Sequence, residues 1–142
     1  MSQGAKAPHG KLLLSSADKP GLITDVVAAT ADTIAKKKDD IKGFMRAWYK
    51  ALAFIKANPD EANKIRAQGV GGWLNDPAVF ADTLKGIEYL DKDKNAVFFG
   101  KPEAPGQINK TLGTALEVLK SVDCIHVDVK PADMIDHNFI GG

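Results

Sequence analysis

The chain has 142 residues, 44% of them hydrophobic, enough to bury a core and too few for more than one ordinary domain. Nineteen Lys and Arg against eighteen Asp and Glu leave a net charge of +1, which gives no electrostatic reason to expect nucleic acid or a membrane surface as partner. Apolar runs such as Leu12–Leu14 and Val26–Ala29 are far too short to span a bilayer. One cysteine, Cys124, excludes an internal disulfide and leaves the redox compartment open.

Residues 1–10 (MSQGAKAPHG) lack an apolar signal region and read as a flexible leader, with residues 11–142 forming the single domain. The leucine run in Lys11–Ser16 predicts a buried strand, and Ala17–Gly21 a turn punctuated by Pro20 and Gly21. A second strand is predicted at Leu22–Ala29, which is rich in β-branched residues. Asp25 interrupts that run, the one place where local polarity and local propensity disagree. Two readings of it stay open: a strand-end carboxylate in solvent, or a group facing a cleft.

Helices dominate from Thr30, which caps a short helix through Lys36. Ile41, Phe44, Met45, Trp48, Leu52 and Ile55 recur at steps of three and four, predicting a helix over Asp40–Ala57. Its apolar face is expected in the core, with Phe44, Trp48, Leu52 and Ile55 buried. Asn58-Pro59-Asp60-Glu61 starts another helix, expected to end near Gln68 because three glycines follow. A helix from Pro77 to about Lys85 is predicted to turn Val79, Phe80 and Leu84 inward. Glu88–Lys92 reads as extended, Lys94–Phe99 as a helical turn closed by Gly100, and Pro102–Gly106 as a loop. The last amphipathic helix covers about Gln107–Ser121, and Pro131 opens a helical turn near Ile135. The fold class is therefore α/β and helix-rich, two N-terminal strands followed by about five helices. Two strands make a poor sheet, so further strands are expected outside these residues.

Recognisable chemistry is sparse. His9, His126 and His137 are scattered, with no metal-ligand spacing, and Cys124 has no His–Asp arrangement near it. Gly69-Val70-Gly71-Gly72 lacks the Lys-Ser/Thr of a phosphate loop and reads as a helix-ending turn. Lys36–Lys38 runs directly into Asp39 and Asp40, a solvated connection. No catalytic residue, metal ligand or cofactor motif is assigned.

Four segments in order carry a family likeness: GKLLLSS…PGLITDVVAA over Lys11–Ala29, DIKGFMRAWYKALAFIKANPDEAN over Asp40–Asn63, Val79–Gly100 with LKGIEYLDKDKNAVFFG, and KPADMIDHNF ending at Phe139. Together they resemble the C-terminal part of the solute-binding proteins of bacterial ABC importers, of the nitrate, sulfonate and taurine type. His137 stands where the family usually has proline. The resemblance implies a partial periplasmic-binding-protein-like (type II) fold in which a small oxyanion or related solute sits between two lobes. It implies Thr24 and Asp25 as the ligand-binding residues, Asp25 suiting an amino or cationic group and repelling bare nitrate. It further implies a permease partner, a periplasmic location and no enzymatic activity. With part of the family fold outside these residues, the Lys11–Ala29 strands are expected to self-associate or to pair with a companion chain. Alternatives are an enzyme on the same fold, resembling the thiamine-pyrimidine synthases, which carry a cysteine-rich motif, and a ligand-sensing or interaction module.

Overall fold

The computed structural model describes residues 8–11, 13–19 and 21–141. Among these, six α-helices are joined by short 3-10 turns and one two-stranded ladder. The helices are α1 (Ala31–Lys36), α2 (Lys38–Ala57), α3 (Pro59–Val70), α4 (Pro77–Thr83), α5 (Lys92–Phe99) and α6 (Gln107–Ser121). The ladder pairs β1 (Gly100–Lys101) with β2 (Ala104–Pro105), antiparallel.

Local chemistry explains where the helices begin. Thr30 has extended backbone and its hydroxyl accepts from the Thr33 amide at 3.2 Å. Asp76 accepts from the Ala78 and Val79 amides at 2.7 and 3.3 Å, with Pro77 pre-set for the first turn. Asp91 does the same for Lys94 at 3.0 Å and so starts a full helix at Lys92 where only a turn is predicted. Asn58 stands before Pro59, but its amide reaches back to the Phe54 carbonyl instead of capping α3. That helix runs through Gly69 to Val70 and stops at Gly71, whose φ of +70° is where chain direction changes.

Contacts divide the chain into two units. One contains the described residues of Met1–Ile23 together with Lys50–Tyr89. In it α3 packs on α4, burying Ala62, Ala67 and Phe80. The small side chains of α3 let the helices approach closely, and Phe80 fills the seam. The other contains Thr24–Tyr49 and the described residues from Leu90 onward. There α6 packs against α5 and against the 3-10 turn Pro131–Met134, with Ile108 and Phe139 buried. The Tyr49 hydroxyl donates to the Ile140 carbonyl at 2.7 Å and ties the C-terminal segment down. Lys120 donates to Asp128 at 2.8 Å, and that hydrogen bond and charge hold the Asp128 carboxyl below its ordinary pKa.

The N-terminal strands are not formed among the described residues. Leu22–Ala29 carries no ladder, and Lys11, Leu13, Leu14 and Ser15 are coil before a 3-10 turn at Ser16–Asp18; Leu12 and Pro20 lie outside the described residues, as do residues 1–7 of the expected leader. The β-branched run has propensity for a strand, but a strand requires a neighbour to take its N–H and C=O groups, and none is at hand among the described residues. Leu13, Ile23, Val26 and Val27 are exposed in consequence.

A second correction concerns the longest helix. The apolar stripe is present along α2, yet no residue of that helix is buried: Phe44 is 51% and Trp48 38% exposed, while Leu52 and Ile55 are half-buried. Periodicity identifies the face a helix can bury, and whether it does so depends on what packs there. Val79 likewise stays exposed beside buried Phe80. In α6 only the N-terminal end is enclosed, around Ile108, while Val118 and Leu119 face solvent. The segment expected as a Pro102–Gly106 loop forms the turn and second strand of the β1–β2 pair.

Candidate functional site

Thr24 and Asp25, the residues to which ligand contact is assigned from sequence, lie in the unladdered segment before α1. Thr24 is half-buried and Asp25 exposed. The capping hydroxyl of Thr30 fixes where this segment ends and α1 begins. What the segment offers chemically is one hydroxyl and one solvated carboxylate, suited to a hydrogen-bonding or cationic group at low desolvation cost.

A different place carries more built chemistry. Within the unit holding α3 and α4, a shallow groove of about 320 Å³ opens between the end of α2, α3, and the segment from Ala81 to Tyr89. Ile55, Pro59, Ala81, Leu84 and Ile87 make its apolar wall. Asn63, Arg66, Lys85 and Tyr89 supply its polar groups.

Arg66 is the centre of that set. Helical spacing places it one turn beyond Ala62 and three residues after Asn63. Its Nη2 donates to Asn63 Oδ1 at 2.6 Å, and its Nε lies 3.4 Å from the Ala62 carbonyl. The guanidinium carbon sits 5.3 Å from the Phe80 ring centre and 6.0 Å from that of Tyr89, a cation between two π faces. Its Nη1 is shielded from water and has no hydrogen-bond partner. Lys85 is the other cation; Asp82 accepts from it at 2.8 Å, and that bond raises the ammonium pKa in an exposed pair. The sequence signal for Arg66 was weak, a single arginine on a polar helix face. Nothing in residue spacing announces that Phe80 and Tyr89 come to flank it, because those contacts depend on α4 folding back on α3.

In the other unit, Cys124 is exposed and His126 Nδ1 lies 3.4 Å from Asp123 in a solvent-facing pair. His137 Nδ1 is shielded and without a partner. Among the described residues no three His, Cys, Asp or Glu side chains converge as a metal site would require.

Residues 6–62 match the family model described as NMT1/THI5 like. Over that stretch the chain is similar to that family. The match supports a small-molecule-binding protein of the periplasmic-binding-protein kind and includes Thr24, Asp25 and all of α2. It ends before the likeness seen in sequence at Val79–Gly100 and Pro131–Phe139. Neither a curated protein nor a solved structure matches the chain. No helix among the described residues is long and apolar enough to cross a membrane.

Proposed function

We propose that this chain is part of the solute-binding component of an ABC importer, acting outside the cytoplasm with a permease and holding a small oxyanion-type or related solute through Thr24 and Asp25. The observation that supports it is the NMT1/THI5-like match, which spans that segment. The role is binding without catalysis. The rival enzyme needs a cysteine-rich motif, and the sequence has one cysteine, Cys124.

Among the candidate solutes, the carboxylate of Asp25 favours one with an amino group. Taurine fits this better than nitrate or a simple sulfonate, which Asp25 repels. Affinity is expected to be weak. With Asp25 exposed and Thr24 only half-buried, a bound solute stays largely hydrated and each hydrogen bond competes with water.

An amide-resolved NMR titration of the chain with taurine, ethanesulfonate and nitrate tests this. Taurine should shift the Thr24 and Asp25 amides with a Kd in the millimolar range, and Asp25→Asn should abolish its preference over ethanesulfonate. Equal responses to taurine and ethanesulfonate would reject the role of Asp25. No saturable shift near residues 22–30 with any of the three would reject solute capture by this segment.

A further inference from the structure

We propose that the groove around Arg66 is a binding site for an organic monocarboxylate with an apolar body, distinct from the Thr24–Asp25 segment. Three observations on the same few residues carry it.

The first is an uncompensated charge. Arg66 has five N–H donors in a planar fork. Its two hydrogen bonds, to the Ala62 carbonyl and Asn63 Oδ1, go to neutral acceptors. None of the residues lining the groove is acidic, and the other cation, Lys85, already has Asp82. A guanidinium held this way is fixed in orientation without being neutralised.

The second is an orphaned donor. Nη1 is withdrawn from water and meets no acceptor. A desolvated N–H without a partner is a standing cost to the protein, and it is removed when an acceptor arrives. A carboxylate matches the guanidinium fork in shape and accepts two parallel N–H bonds from it, which a hydroxyl or a single carbonyl cannot.

The third is the wall. Ile55, Leu84 and Ile87 present aliphatic surface beside the charge. That surface gives an inorganic anion nothing, whereas a short alkyl or aryl chain displaces water from it. A volume of about 320 Å³ suits a ligand of small-molecule size. Because Nη1 is shielded, a carboxylate reaches it only when a lining side chain yields. Tyr89, whose ring faces the guanidinium and which remains partly exposed, is the side chain placed to do so.

The test is a titration of the whole chain with hexanoate, hexanol and inorganic sulfate, read at the Arg66 Nε–H and the Tyr89 ring by NMR. Hexanoate should shift both signals saturably, at least about tenfold more tightly than either hexanol or sulfate, since the first lacks the charge and the second the apolar body. Arg66→Gln should abolish hexanoate binding while the amide spectrum away from the groove is preserved. If that variant unfolds, the three wild-type titrations decide alone. Hexanol binding as tightly as hexanoate would show that the guanidinium is not read, and sulfate binding as tightly would show that the wall is not. Absence of a saturable shift up to roughly 50 mM would overturn the site. The signals read are those of Arg66 and Tyr89, so this result and that for taurine at Thr24 and Asp25 can fail separately.

Discussion

At Tyr49 one hydroxyl joins two distant parts of the sequence, donating to the Ile140 carbonyl at 2.7 Å. Burial first, and the Asp91 carboxylate second, raise its pKa above the usual 10.0. The folded state therefore keeps the phenolic proton longer than the unfolded chain does. This contribution to stability is fully present below pH 10 and is lost as pH rises through the folded-state value. Spectrophotometric titration of tyrosinate should show a late-ionising component that is missing in Tyr49→Phe. The same variant should lose about 1 kcal/mol in urea denaturation at neutral pH, the net worth of one ordinary hydrogen bond. An unchanged titration curve and unchanged midpoint would show that the contact does not persist in solution. The partner of Tyr49 lies 91 residues away, and no local pattern specifies such a pair.

For the helices and the turns between them, what a few residues decide was legible and what packing decides was not. Thr30 could be read as a cap because capping is settled within three residues. Asp76→Ala should cost about 1 kcal/mol by denaturant titration, with the loss confined to the exchange rates of amides in and around α4. Gly100 is a sharper case. Its φ is +67°, and a Cβ there would run into the backbone of Ala104, Pro105 and Gly106. Gly100→Ala should cost more than about 2 kcal/mol, the left-handed strain plus a clash that no side-chain rotation relieves. A near-neutral result would mean that the β1–β2 turn is not formed as described. Trp48 marks the opposite outcome. Its periodicity in α2 reads as core, but with 38% of it exposed Trp48→Ala should cost well below the ~3–5 kcal/mol of a fully buried aromatic.

For the molecule as a whole, the exposed apolar residues are the feature with the largest consequence. Leu13, Ile23, Val26 and Val27 all face solvent in the segment preceding α1. Apolar side chains concentrated on one short stretch favour association, whether or not the backbone forms a strand. Light scattering should give a mass that rises above 15.2 kDa with concentration, and Ile23→Lys with Val27→Lys should return it to the monomer value. A constant 15.2 kDa over the whole range would reject association through this segment.

The sequence by itself determined the helix-rich composition, the position of most helix starts and the family likeness that points to solute binding. Those properties rest on short-range chemistry: caps, prolines, glycines and the 3.6-residue period. Tertiary structure alone decided that Leu22–Ala29 has no ladder, that the α2 stripe is not enclosed, and that Phe80 and Tyr89 close around Arg66. Each of these depends on whether a partner surface is present at the right distance. A strand needs a neighbour's backbone, a stripe needs an opposing face, and a groove needs two elements to converge.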